Sequence, residues 1–145
     1  MRAWAGSWAF WALLSAGFAA LTAIFAKIGV EMINSDLATL IRTVIVAGVL
    51  AAIVAVTRQY QPLAEIPART YTFLALSGFA TGASWLCYFR ALKLGDAARV
   101  APLDKLSIVL VAVFGVAFLG ERLSALNWLG IVLIGCGALL VAHKG

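Results

Sequence analysis

The stretch from Val100 to Leu119 constrains the fold of this chain more than any other part of the sequence. It is twenty residues long and almost wholly apolar, which is the length that a helix needs to cross the hydrocarbon core of a bilayer. Asp104 and Lys105 nevertheless lie about one turn in from its start. Because a charge at membrane depth costs roughly 2.5–3.5 kcal/mol on insertion scales, such residues normally face protein or a water-filled cavity. The stretch therefore predicts a membrane helix that forms one wall of a polar site.

The composition of the whole chain favours the same class of protein. Of the 145 residues, 64% are hydrophobic and 12% are charged, whereas soluble domains average about 25% charged residues. The net charge of +5 does not indicate a nucleic acid partner, because the basic residues form no run and fall at the ends of apolar segments, as membrane-flanking charges do. We therefore predict an integral membrane protein whose surroundings are the lipid bilayer.

Five apolar segments, each long enough to cross a bilayer, divide the chain. None of them alternates strictly between apolar and polar residues, which disfavours a barrel. The loops are short, so consecutive helices should be antiparallel neighbours. We predict an all-α integral membrane fold, with five transmembrane helices in an antiparallel bundle that forms one domain over residues 1–145. The predicted helices cover residues 7–26, 37–56, 70–89, 100–119 and 125–142.

The basic residues divide almost evenly between the two faces of the membrane. Five crossings put the termini on opposite sides, and we call the side of the N-terminus side A and the other side B. Side A has four basic residues near the helix ends and side B has five: Arg2, Arg58, Arg69 and Arg122 against Lys27, Arg90, Lys93, Arg99 and Lys144. Because orientation is set by an excess of Lys and Arg in cytoplasmic loops, this near balance predicts dual topology, with insertion in both orientations.

Charged and aromatic side chains from four segments share one level near side B. Lys27 closes the first segment, and Arg42 lies five residues into the second. Asp104 and Lys105 lie at a similar depth in the fourth, and Trp85 and Tyr88 lie near the end of the third. In one interpretation they form a substrate site with excess positive charge, which favours an anionic or zwitterionic molecule and has an aromatic wall. In the other, Arg42 and Asp104 form a structural ion pair, Lys105 extends toward side B, and the aromatic residues belong to an interfacial belt.

The third segment carries one polar and aromatic face. Its members follow helical spacing, which places them on one side of a helix: Ser77, Thr81, Ser84, Trp85 and Tyr88. Gly78 and Gly82 form a small-xxx-small pair on the flank of this face, and such pairs let helices approach closely. In one interpretation the face, with Thr81 and Ser84, lines a substrate path and the glycines make a tight helix contact. In the other, the hydroxyls bond the backbone four residues back and the glycines merely pack.

The sequence contains no catalytic signature. It has no G-x-S-x-G motif, no H-E-x-x-H motif and no phosphate loop. Cys87 and Cys136 both lie inside apolar segments, and together with the lone His143 they are too few for a metal site. We therefore predict a protein that is not an enzyme and that holds no metal or cofactor.

Four stretches of the sequence resemble the EamA domain of the drug/metabolite transporter superfamily. They are Y-F-R-A-L-K-L-G-D-A-A-R-V-A-P-L at residues 88–103, L-G-E-R-L-S at 119–124, W-L-G-I at 128–131 and G-C-G at 135–137. The resemblance implies a single five-helix unit. Larger relatives contain two such units in inverted orientation and move small metabolites, so a chain with one unit is implied to be a half-transporter that must pair.

From these features we predict a secondary transporter of small organic metabolites in the cell (inner) membrane. It would work as an antiparallel homodimer with a polar cavity between helices, since inverted repeats around a central site are a common transporter plan. Two alternatives remain open. One is a membrane scaffold or regulatory subunit that transports nothing, and the other is a flippase for lipids or lipid-linked sugars.

Overall fold

The computed structural model describes residues 7–143, and its regular structure is helical throughout that range. Arg2 and Lys144, which enter the charge balance, lie outside the described residues. The helices are α1 (Trp8–Val30), α2 (Ser35–Thr57), α3 (Ala68–Leu94), α4 (Ala97–Asp104), α5 (Ser107–Leu119) and α6 (Ala125–Ala142), with a short 3-10 turn at Leu63–Glu65. Five spans are long and apolar enough to cross a membrane, the fourth being α4 and α5 together, Ala97–Leu119. The predicted all-α membrane fold is confirmed.

The helix ends are fixed by local chemistry that the sequence shows. The Asn34 side chain accepts hydrogen bonds from the backbone N–H groups of Asp36 and Leu37 at the start of α2. Ser124 does the same for Asn127 at the start of α6. Gly120 ends α5 in the left-handed conformation, with φ of 70°, which glycine adopts without a steric penalty. These side chains satisfy backbone groups that a helix end otherwise leaves without partners.

Several helices run further than predicted at side B, and the largest extensions are those of α1 and α3. The predicted ends at residues 26 and 89 become Val30 for α1 and Leu94 for α3. The basic residues that suggested earlier ends are accommodated inside the helices, because their ammonium groups find carbonyl acceptors. Lys27 Nζ donates to the Leu92 carbonyl at 2.8 Å, and Lys93 Nζ donates to the Ile33 carbonyl.

The fourth span is broken, although a continuous helix over residues 100–119 was predicted. Pro102 lies inside α4, where it has no N–H to donate and its ring crowds the carbonyl four residues back. The next backbone bonds tighten to a spacing of three residues, from Lys105 to Pro102 at 3.0 Å and from Leu106 to Leu103 at 3.1 Å. Asp104 is thus the last residue of α4, and Lys105 lies in the break before α5.

The described residues divide into two compact units. We call Ala26–Lys93 the central unit, and the residues up to Phe25 together with those from Leu94 onward the terminal unit. In the central unit Val30 and Leu92 are fully buried, and Phe89 is only 3% exposed. In the terminal unit α4 and α5 pack against α6. The single domain over residues 1–145 stays a prediction.

Gly135 lies at a close contact of α6 with α5. A Cβ added there would lie 3.2 Å from Val109 Cγ2 and 3.9 Å from Leu106 Cδ2, whereas one added at Gly137 would meet nothing within 4 Å. Gly135→Leu should therefore overpack the contact at a cost of about 1–3 kcal/mol and lower the melting temperature in detergent. Gly137→Leu is the matched control, because both variants gain the same helix propensity. Equal melting temperatures for the two would contradict this close contact.

Candidate functional site

Arg42 and two aromatic rings form the most distinctive polar arrangement of the central unit. Arg42 is the eighth residue of α2, so it lies about 10 Å along the helix from its start at side B. Its guanidinium carbon lies 4.0 Å from the centroid of the Trp85 ring and 5.8 Å from that of Phe89. The two rings are one turn apart on α3, on the same helix face. We call Arg42, Trp85 and Phe89 the arginine–aromatic cluster.

The guanidinium in this cluster has a hydrogen-bonding group without a partner. Arg42 Nη1 is buried, and no hydrogen-bond acceptor meets it among residues 7–143. The ring contacts stabilise the cation by roughly 0.5–2 kcal/mol, but they do not accept its N–H bonds along the guanidinium edge. A buried donor left without an acceptor costs about 1–3 kcal/mol. The cluster therefore has the capacity to bind one more acceptor, and a carboxylate or phosphate oxygen suits a guanidinium best.

Asp104 and Lys105 form a second charged pair, in the terminal unit. Lys105 Nζ lies 3.3 Å from Asp104 Oδ2, and their side chains are 52% and 36% exposed. Within its own unit, Asp104 thus has its sequence neighbour as a partner. The Arg42–Asp104 ion pair of the structural interpretation stays a prediction. Because the Lys105–Asp104 pair is so open, it contributes little stability of its own.

The hydroxyls on the predicted polar face of α3 behave differently from three threonine hydroxyls elsewhere on α2 and α3. Thr39, Thr43 and Thr72 each donate to the carbonyl four residues back, at 2.8, 2.7 and 3.1 Å. The predicted polar face of α3 carries three exposed hydroxyl residues, Ser77, Thr81 and Ser84. Within the described part of the chain, none of their hydroxyls makes such a hydrogen bond. The alternative in which these hydroxyls bond their own helix is therefore not what the structure shows.

Gly78 and Gly82 are open as well. A Cβ at either position would meet no atom within 4 Å. The described residues thus leave space beside both glycines, and the predicted close helix contact stays a prediction. A contact at these glycines with a second copy of the chain stays a prediction.

A network of basic side chains ties together the side-B end of the central unit. Arg90 donates two hydrogen bonds to the Asp36 carboxylate, from Nε at 3.1 Å and from Nη2 at 2.7 Å. Lys93 and Lys27 bond backbone carbonyls of the same unit. This network holds the end of α3 beside the start of α2, and so it keeps Arg42 in register with the rings of the cluster.

Sequence reasoning selected Arg42, Trp85 and Tyr88 but missed Phe89. Tyr88 is half-buried, three residues after Trp85, and Phe89 is four residues after it. Both spacings return to the same helix face, so the signal for Phe89 was present. Because Phe89 has no polar atom, however, its sequence position alone does not distinguish it from an ordinary core residue. The Arg90–Asp36 pair had no sequence signal, since the two residues are 54 positions apart.

Comparisons with known proteins show a family and a similar protein. The model of the EamA-like transporter family matches residues 6–142. A protein of Sinorhizobium sp described as "Uncharacterized transporter in cobO 3'region" is 74% identical over 136 residues, which are 94% of this chain and 96% of that protein. No solved structure matches the chain.

Proposed function

Because the chain belongs to the EamA-like transporter family, we propose that it is a secondary transporter that moves small organic metabolites across the cell (inner) membrane. The observation that carries the proposal is the arginine–aromatic cluster, a cation inside a transmembrane helix with a donor that no described residue meets. Ionisable residues within membrane spans commonly mark substrate pathways. The polar cavity would be built around this cluster and the hydroxyl face of α3.

We propose further that the transporter is a homodimer of five-helix units. The family match covers residues 6–142, which contain five candidate spans, and the similar Sinorhizobium protein is matched over 96% of its length. The hydroxyls of Ser77, Thr81 and Ser84 are exposed on a transmembrane helix, where lipid offers no hydrogen bonds. A second copy or a shared aqueous cavity would satisfy them, and Gly78 and Gly82 leave space for a close approach.

The two copies would be antiparallel. An odd number of spans and a near balance of basic residues between the two sides favour insertion in both orientations. An antiparallel dimer places one arginine–aromatic cluster near each membrane surface, which suits alternating access around a two-fold axis in the membrane plane. A parallel dimer would leave the opposite half of the path without this cation.

Dual insertion predicts that reporters fused after Gly145 are active on both sides of the membrane. One fusion would carry a reporter active only in the cytoplasm, and the other a reporter active only outside it. Both should give signals of similar size relative to the amount of protein, because neither orientation has an appreciable excess of flanking charge. Activity confined to one fusion would exclude dual insertion and leave a parallel dimer or a different partner of opposite orientation.

Transport itself is tested with the purified protein in liposomes. Counterflow or uptake of labelled metabolites should exceed that of protein-free liposomes. A protein that inserts and dimerises but moves no solute would favour the scaffold or regulatory subunit. This test does not depend on the orientation assay, because reconstitution inserts chains both ways.

A further inference from the structure

We propose that the arginine–aromatic cluster binds the carboxylate or phosphate group of a soluble organic anion, so that anions are the substrate class of this transporter. The inference rests on the proposed transport function and deepens it. It assigns the anchoring role to Arg42, an aromatic wall to Trp85 and Phe89, and an anionic oxygen group to the substrate.

The geometry leaves one donor of the guanidinium, Nη1, without an acceptor among the described residues. Trp85 lies against the guanidinium with 4.0 Å between ring centroid and guanidinium carbon. A stacked ring occupies a face of the planar group, whereas a carboxylate or phosphate binds in its plane through paired N–H bonds. The two interactions therefore use different parts of Arg42 and can be made together. Nη1, buried and without an acceptor, is the donor that an anion would satisfy.

The acidic residues of the central unit do not supply this acceptor. They are Glu31, Asp36 and Glu65, and no atom of them bonds Arg42 Nη1. Asp36 is engaged by both donors of the Arg90 fork. The cluster thus keeps a net positive charge inside a membrane span, where a charge is costly unless it is compensated. A substrate anion would compensate this charge, and the mutual neutralisation of anion and guanidinium would favour the substrate-bound state.

Arg42 and Trp85 each remain partly exposed. Arg42 as a whole is half-buried, and its long side chain has several rotatable bonds with which it can reorient toward an anion. Trp85 is also half-buried, so part of its ring system remains available to the apolar part of a substrate. This combination suits an organic anion with an apolar or aromatic body better than a bare inorganic ion.

The chain contains its own control for this site. Arg69 lies over Phe73 with 5.7 Å between guanidinium carbon and ring centroid, at the other end of α3, and it is exposed. Arg69→Gln removes one positive charge and one cation–ring contact, as Arg42→Gln does, but at a place where the donors remain hydrated. Any effect of overall charge would therefore appear in both variants.

The test measures binding of benzoate and of inorganic phosphate, at constant ionic strength against chloride, to the full chain in nanodiscs of phosphatidylcholine. Benzoate should raise the melting temperature of the wild type and of Arg69→Gln. In titrations of both proteins, benzoate should bind more tightly than phosphate. Arg42→Gln should weaken benzoate binding at least about tenfold, as expected for the loss of a paired charged hydrogen bond. Arg42→Lys keeps the positive charge but lacks the planar fork of donors, so its affinity for benzoate should lie between those of the wild type and Arg42→Gln. If Arg42→Gln does not fold, Arg42→Lys provides the comparison with the wild type.

A lipid headgroup could offer the same phosphate chemistry, and a second arm separates the two sources. Nanodiscs containing phosphatidylglycerol should leave the benzoate affinity of the wild type within about twofold. Loss of benzoate binding in these nanodiscs would overturn the soluble anion in favour of a headgroup. Equal binding by wild type, Arg42→Lys and Arg42→Gln would overturn the site. The proposed transport function is judged separately. Transport of other solutes in liposomes can succeed while this binding test fails, and benzoate can bind to a protein that transports nothing.

Discussion

Lys105→Ala is expected to reduce the initial rate of transport in liposomes at least about tenfold, while the protein still folds and inserts. Lys105 lies in the break between α4 and α5, within the fourth span. Its ammonium group has an open contact of 3.3 Å with Asp104 and is not buried, so its removal costs little stability. A cation kept at this depth without a strong structural partner is explained best by a role in the transport path.

Arg122→Ala is the control for Lys105→Ala. Arg122 is exposed in the loop that follows Gly120, so its loss changes the net charge equally without touching a span. Melting temperature in detergent and the amount of protein in the membrane should be close to wild type in both variants. Normal transport by Lys105→Ala would show that Lys105 is no part of the site. A collapse in folding of Lys105→Ala and Asp104→Ala alike would favour a structural ion pair, since stranding one partner of such a pair is costly.

The second large effect concerns orientation. Two or three lysines added beside Lys144 should hold side B in the cytoplasm, because cytoplasmic flanks carry the excess of Lys and Arg. Gln59→Lys with Gln61→Lys, in the loop after α2 on side A, should hold the opposite orientation. Each variant alone should lose most of its transport in cells, since an antiparallel partner is then missing. Expressed together, the two should restore transport to a level near that of the wild type.

Restoration by co-expression separates orientation from damage. Lysines that simply impaired folding would lower transport in the mixture as well, whereas complementary orientations rescue each other. A parallel dimer would show the opposite pattern, with at least one variant fully active by itself. Adding the same number of glutamines beside Lys144 is the control for that variant, because glutamine lengthens the terminus without adding charge. The wild type, which has glutamine at positions 59 and 61, is the control for the loop variant.

The sequence by itself determined the membrane class, the number of spans and most helix ends. These properties depend on local quantities. Apolar length decides whether a segment can cross a bilayer, and a capping side chain acts on backbone groups only a few residues away, as Asn34, Gly120 and Ser124 do. The family resemblance rested on similarly local motifs and was confirmed by the match over residues 6–142.

The helix boundaries that sequence reasoning misplaced involve longer-range partners. Lys27 and Lys93 suggested helix ends, but carbonyls on other segments of the central unit accept their bonds and let the helices continue. The break at Lys105 had a visible cause in Pro102, yet proline is tolerated in many transmembrane helices when other groups replace the lost bond. Only the observed shift to three-residue spacing shows that the helix is interrupted here.

Tertiary structure alone decided which side chains meet. Nothing in the spacing of Arg42 distinguished an acidic partner from an aromatic one, and the structure places its guanidinium over Trp85. Gly78 and Gly82 had the better sequence pattern for a close contact, yet the tight approach occurs at Gly135. The reason is that helical periodicity fixes which residues share a face, whereas the rotation of each helix, and hence what that face meets, is set by packing between segments distant in the chain.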